Sequence, residues 1–298
     1  MPPELITAAP ALAEEEWTAR ERAHQQQMDA WLVPHQQRRR DGVPHPVWDF
    51  LFSYYSESPG RLRRWHPGVG RSLRGEAARG RLAWPFYTEL AGGTVGLDVE
   101  AFLEKRHASV GWIEGLLAAT AGRTAQFGCF GLHEWAMLYR PDAGGVRHEQ
   151  LPLRLGQAGT DAVVEGHRVQ CSHIDAYRFF TPAAVPRNTL TPTRESQPQL
   201  EQPGCLHATM DLYKWAYKLG PAVPGELLAD CFALAADVRE LDMRASPYDL
   251  RPLGWEPVAI ETPAGKAEYV AAQRGFAERG AALRVRLLDV CRELLGER

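Results

Sequence analysis

The stretch DVEAFLEKRHASVGWIEGLLAAT, residues 98–120, decides the fold class. Val99, Phe102, Leu103, Val110, Ile113 and Leu117 recur at helical spacing and make one apolar face. Asp98 stands where a helix N-cap accepts a backbone amide, so the spacing predicts a helix over 98–120. The same period runs outward along the chain. Trp17, Ala23, Met28, Trp31 and Leu32 predict a helix over 13–40, which Pro34 should kink or end. Val47, Phe50, Leu51 and Tyr54 predict a short helix over 47–56. Residues 206–219 and 225–244 read as helices, the second with Leu227, Leu228, Phe232, Leu234, Ala235 and Leu241 as its core stripe. Residues 264–296 read as a final helix or helix pair. Residues 125–140 are apolar around His133 and Glu134 and read as helix or buried strand.

Between these segments the character changes. Pro59–Gly75 reads as loop. Leu151–Leu155 and His167–Phe180 alternate or are rich in β formers, and are expected to supply a small β portion. Residues 181–205 hold five prolines and almost no aliphatics, which predicts a long ordered loop, a kind that is often functional. The expectation is a mainly α-helical α+β fold. Residues 1–12, rich in Pro and Ala, should be a flexible N-terminus, and 13–298 a single globular catalytic domain.

Composition narrows the setting. A 45% hydrophobic content supports a full core. No run approaches the ~18 apolar residues of a membrane span. A basic region followed by an apolar run is absent from the N-terminus, so no secretion signal and no membrane partner are expected. Five scattered cysteines without a CxxC pair suit a reducing cytoplasm and disfavour a thiolate zinc site. Residues 38–81 carry ten arginines against four carboxylates; that net +6 within a chain of total charge −3 leaves −9 elsewhere. Such asymmetry suits a phosphate-binding face on an acidic body, with Arg61, Arg63, Arg64 and Arg71 as candidate DNA phosphate ligands.

Three clusters carry the chemistry: QCSHIDAYRFF (170–180), HATMDLYKW (207–215) and LDMRASPYDL (241–250). Each mixes carboxylates with cations and aromatics. A core does not need that mixture, because buried charge is costly unless paired. A site that holds a flat polar ligand and moves protons does. His173 and Asp175, two apart, would share one face of a strand. His207 and Asp211, four apart, would stack on one face of a helix. His133-Glu134 lacks the second histidine of a zincin, since position 137 is Met137, but leaves Glu134 as a candidate buried carboxylate with raised pKa.

These clusters, together with DFLFSYY (49–55), RRWHPG (63–68) and CFGLHEW (129–135), resemble a group of bacterial proteins common in actinobacteria and usually labelled 3-methyladenine DNA glycosylase. The resemblance covers the chain from about Trp17 to its end. Residues 65–72, WHPGVGRS, also resemble the Pro-Gly-Val-Gly hairpin of helix-hairpin-helix glycosylases. They depart from it at His66, and no aspartate follows at the usual distance; Glu89 is the sole carboxylate in that window.

The family resemblance implies a hydrolase that cleaves the N-glycosidic bond of a damaged or modified base flipped out of DNA. It implies DNA as partner, no cofactor and no obligate protein partner. An alkylated purine fits the label. A bulkier base, such as a sugar-bearing phage base, suits the residues equally and would make the role antiviral. Cleavage passes through an oxocarbenium-like state that a carboxylate stabilises, here Asp175 or Asp211. His173 and His207 would orient that carboxylate or protonate the leaving base. Arg178, Lys214 and Arg244 would bind phosphate or keep the carboxylates ionised. Tyr177, Tyr213 and Tyr248 offer stacking faces for the base. In the Pro-rich loop, Asn188, Arg194, Gln197 and Gln202 offer groups that read base edges or phosphate. Two other readings compete: a metal-dependent hydrolase or oxygenase built on His133, His173, Asp175, His207 and Asp211, and a non-catalytic nucleic-acid or nucleotide binder.

Overall fold

The computed structural model describes residues 10–141 and 150–297. A two-residue strand, β1 (Ala11–Leu12), leads into the long helix α1 (Glu14–Asp41). Glu14, Glu15 and Glu16 open that helix and Arg38, Arg39 and Arg40 close it, each charge set complementing the macrodipole. Gly42 ends it with φ 68°, a left-handed cap whose amide bonds Arg38 O. Pro34 does not end the helix, which runs through it for nearly two further turns. Three short elements follow: α2 (Phe50–Ser53), α3 (Pro59–Leu62) and β2 (Ser72–Leu73). The segment expected to be loop therefore contains both a helical turn and a strand.

The hairpin β3 (Tyr87–Leu90) and β4 (Thr94–Leu97) completes one sheet in the order β1-β2-β4-β3. β1 runs parallel to β2 and the other pairs are antiparallel. Ala11 pairs with Ser72 and Leu12 with Leu73, so the tail is tied down there. This corrects the expectation of flexibility for residues 11–12; residues 1–9 lie outside the described residues. The sheet covers a small core of its own, built from Leu12, Trp17, Trp65, Leu73, Tyr87 and Val95.

The body is helical. Helix α4 (Val99–Ala121) has Asp98 as cap, its carboxylate accepting from Ala101 N at 2.9 Å. Short helices α5 (Leu132–Ala136), α6 (Gly156–Glu165), α7 (Ile174–Tyr177) and α8 (Gln197–Leu200) lead to α9 (Leu206–Leu219), α10 (Gly225–Arg244) and the single last helix α11 (Pro263–Leu295). Helix α9 buries eleven of its fourteen residues, which makes it the central helix. It packs on α10 and α11; α4 lies along α11 and α1 along α10. The chain is thus one mainly α-helical α+β domain. Among the described residues no helix is long and apolar enough to cross a membrane.

The β portion is not where the alternation placed it. Residues 151–180 contain α6 and α7 and only isolated bridges, Leu153 to Tyr248 and Val169 to Asn188. A side chain takes the place of a neighbouring strand. Asn188 Oδ1 accepts from Cys171 N at 2.7 Å, and Asn188 Nδ2 donates to Cys171 O at 2.9 Å. The backbone is satisfied locally, so no ladder is required. Residues 181–205, expected to be loop throughout, hold a 3-10 turn (Val185–Arg187) and α8, and polar groups anchor them. Thr181 Oγ1 donates to Tyr139 O at 2.6 Å, and Gln197, Glu201 and Gln202 are buried.

Candidate active site

Five segments converge beside the central helix. Helix α9 contributes His207, Asp211 and Lys214, at successive turns of one face. Helix α7 contributes Asp175 in its first turn, preceded by His173 at its cap position. The turn α5 contributes His133 and Glu134, helix α10 contributes Arg239 and Asp242, and the Pro-rich segment contributes Arg194. Because His173 and Asp175 start a helix rather than lie on a strand, they do not share a face. His173 Nε2 approaches Glu201 and Asp211 at 3.5 and 3.6 Å, while Asp175 turns to Arg194 and Lys214.

Two adjoining clefts meet at Tyr54 and Asp175. The first, of about 280 Å³, has Phe50, Tyr54, Met137 and Phe179 as apolar walls. Its polar floor is Glu134, Asp175, His207 and Arg239. The second, of about 390 Å³, is lined by Tyr54, Asp175, Arg178, Arg194, Lys214 and Tyr217, among others. Phe50 and Tyr54 stack at 4.8 Å, a flat aromatic edge on the first cleft.

Asp175 is 4% exposed yet surrounded by cations. Arg194 Nη2 donates to it at 2.7 Å, Lys214 Nζ at 2.8 Å, and Arg178 Nε lies 3.4 Å away. Burial alone would raise its pKa, but the Arg194 and Lys214 hydrogen bonds and the Lys214 charge hold it well below the carboxylate range. Lys214 also donates to Asp211 at 2.9 Å. Burial favours its neutral form, yet the Asp211 and Asp175 charges push its pKa above the ordinary lysine value. Asp211 is buried behind the clefts and accepts from Tyr55 Oη at 3.1 Å.

A second charge group lies behind the first cleft. His133 Nε2 and Asp242 Oδ1 share a hydrogen bond of 2.8 Å, and Arg239 Nη1 sits 3.2 Å from Glu134 and 3.5 Å from Asp242. The His133 and His207 rings meet edge-on at 4.6 Å. Burial disfavours the charged form of both histidines. For His133 the Asp242 charge and hydrogen bond prevail, and its pKa is raised. For His207 burial and the neighbouring His133 charge keep the ring neutral. Burial, reinforced by the Asp242 charge, raises the Glu134 pKa against the pull of Arg239.

The residues singled out for metal do not form one set. His133 and His207 go with Asp242, their ligand atoms within 4.8 Å of one another; Asp175 and Asp211 hold Lys214 instead, and His173 faces Glu201 and Asp211. The first group fits a dication poorly. The Arg239 guanidinium already lies 3.5 Å from Asp242, and Asp242 is hydrogen-bonded to His133.

Other sequence candidates lie apart. Gln202 spends its amide on backbone, accepting from Gln126 N and Gly204 N and donating to Gln126 O. Tyr213 and Tyr248 are core residues, 0% and 2% exposed. Tyr177 packs on Phe180. Arg244 is held by Glu240, Glu268 and the Glu256 carbonyl. Arg63 is paired with Asp29, Arg71 is exposed, and Arg61 and Arg64 border a separate cavity. In the Gly68–Gly70 turn the Val69 amide donates to Ala222 O at 2.9 Å, so it is not free for a phosphate. Sequence reasoning missed Arg239, and it included Asp242 only within the 241–250 cluster, without a role of its own. Their signal was an i, i+3 charge pair inside the apolar stripe of α10.

No family model, no curated protein and no solved structure matches this chain.

Proposed function

We propose that the chain is a DNA glycosylase that hydrolyses the N-glycosidic bond of a damaged or modified base flipped out of DNA. The observation that carries this reading is a pair of carboxyls on one cleft whose environments push their pKa values apart. Asp175 is held ionised and Glu134 is driven toward its protonated form. Such a split separates the two roles that glycosidic cleavage needs. Asp175 is the anion that steadies positive charge developing on the sugar. Glu134 is the acid that gives a proton to the departing base. Phe50, Tyr54 and Phe179 offer the flat walls against which an extruded base stacks.

The surrounding groups suit the same chemistry. Arg194, Arg178 and Lys214 keep Asp175 ionised and lie on the cleft where strand phosphates would run. Lys214 stays charged, so it is no nucleophile, which favours simple hydrolysis over a Schiff-base lyase. Asp211 acts through Lys214 as a positioning residue. The resemblance of these segments to proteins labelled 3-methyladenine DNA glycosylase agrees with the assignment. The test is mass spectrometry of bases released from alkylated, native and phage-modified DNA. One modified base should appear with the wild-type chain and not with Asp175→Asn. Release of no base from any of the three substrates would sink the reading.

A further inference from the structure

A third cavity, of about 290 Å³, adjoins the Lys214 cleft and shares Tyr217 and Lys218 with it. That volume is at the small end of ligand pockets, which run from about 300 Å³ upward. Four cations line it: Arg61, Arg64, Arg106 and Lys218. Among the described residues none of the four has a carboxylate within ion-pair distance, whereas nearby Arg63 and Arg81 are held by Asp29 and Glu21. The Glu57 carboxyl on the same wall feels the Arg61 and Arg64 charges without forming an ion pair with either, and four cations around one cavity are suited to an anion with several oxygens.

Two further features point to a ligand with an aromatic part. Trp84 and Phe86 supply aromatic walls; the Arg81 and Arg64 guanidiniums lie 3.9 and 5.2 Å from the Trp84 ring centre, and Lys105 Nζ 5.7 Å from that of Phe86. Phe86 has φ 65°, a left-handed conformation that bulky residues rarely adopt. Its carbonyl accepts from Asp98 N at 2.8 Å and its ring meets Phe102 edge-on, which holds the strained backbone and aims the ring. Such strain persists where a side-chain direction matters. Glu57, 8% exposed, lines the same wall, and its Oε1 is buried without a hydrogen-bond partner. A buried acceptor of this kind is satisfied by an N–H on a base edge.

We propose that this cavity is a nucleotide subsite. A nucleobase packs on Trp84 and Phe86, and its phosphate pairs with Arg61, Arg64, Arg106 and Lys218. Because the cavity joins the Lys214 cleft at Tyr217 and Lys218, the occupant is the nucleotide adjacent to the one in that cleft, on the same strand. That last step rests on the base-excision reading.

The test is equilibrium binding of 2′-deoxyadenosine 5′-monophosphate, deoxyadenosine, inorganic phosphate and a short single-stranded oligonucleotide to the full chain. Arg106→Ala and Lys218→Ala remove exposed side chains, and thermal unfolding checks that the fold survives. The mononucleotide should bind more tightly than the nucleoside or phosphate. Each substitution should weaken it about tenfold at low salt, as loss of a charge-assisted phosphate contact implies. The mononucleotide should also compete with the oligonucleotide, whose salt slope should fall by about 0.7 per contact removed. Absent or variant-insensitive mononucleotide binding overturns the subsite. Binding that the variants abolish but that does not compete with the oligonucleotide overturns the strand assignment. None of these readouts requires base release, so a failed excision assay leaves them separately informative.

Discussion

Lys214 Nζ lies 2.8 Å from Asp175 Oδ2, and this contact ties the central helix to the short helix at the cleft mouth. The ammonium simultaneously holds Asp211, so one cation serves a carboxylate that lines the clefts and one buried behind them. The two aspartates therefore differ in what their removal does.

Asp175→Asn should lower the single-turnover rate of base release by about 10³-fold, the scale of one electrostatic transition-state contact, with DNA binding retained. Asp211→Asn should act mainly on stability. It takes the charge from a carboxylate buried behind the clefts, to which the partly exposed Lys214 ammonium and the buried Tyr55 hydroxyl both donate, and a hydrogen bond to a charged group contributes about 1.5–3 kcal/mol. Paired kinetics and thermal unfolding separate the two outcomes. Wild-type turnover in folded Asp175→Asn would show that this carboxylate is not the one that matters.

Glu134 should set an alkaline limb in the rate profile. Burial first, and then the Asp242 charge, raise its pKa above the ordinary carboxyl value of about 4.3. An acid works only while protonated, so the rate should fall as pH rises through that raised pKa. Glu134→Gln cannot give a proton; its rate should be low and flat across the same range. An unchanged limb in the variant would assign the proton to another group.

Borohydride added during turnover should trap no covalent protein–DNA adduct. Among the described residues Lys214 is the one lysine on the Asp175 clefts that meets a carboxylate, and its pKa is pushed upward, away from the neutral amine a Schiff base needs. A trapped adduct lost in Lys214→Ala would reverse this and make the protein a lyase.

Acid stability should depend on Asp49. It accepts from Arg38 and His45 N and shares a proton with His35, joining the end of α1 to the segment that carries Phe50 and Tyr54. Burial opposes its ionisation, but these partners hold its pKa at about 2. A depressed carboxylate contributes stability above its unfolded value near 4 and loses it as pH falls toward the folded one. The contribution is on the order of 2 kcal/mol. Melting temperature against pH should drop more steeply for the wild type than for Asp49→Asn between about pH 4 and pH 2.

Much of the helical frame is legible in the sequence. The α4 face and its Asp98 cap emerge as the spacing predicts, and so do α9 and α10, because long amphipathic periods leave a strong signal. The sheet is illegible because its strands are two to four residues long, too short for an alternation to stand out. The apparent strand over 167–180 misleads because the Asn188 amide satisfies Cys171 where a neighbour would have been needed. In the site, Asp175, Glu134 and Lys214 are recognisable as charged residues set among aromatics. The i, i+4 spacing of His207 and Asp211 is right, yet the two serve different neighbours, His133 and Lys214. Partnership across helices, such as Arg239 with Glu134, depends on packing that no local pattern encodes.

Helix α9 carries His207, Asp211 and Lys214 while being enclosed by α10 and α11, so three of the cluster's ten side chains sit on the keel of the molecule rather than on its rigging. Amide protons along such a segment should exchange only when the whole domain opens. The wear that reshapes surface loops over evolutionary time cannot reach these three positions without threatening the fold. Changes in what the cleft accepts are therefore expected from its rim, from Phe50, Tyr54, Phe179 and Arg194, where side chains can be exchanged around an unmoving charge.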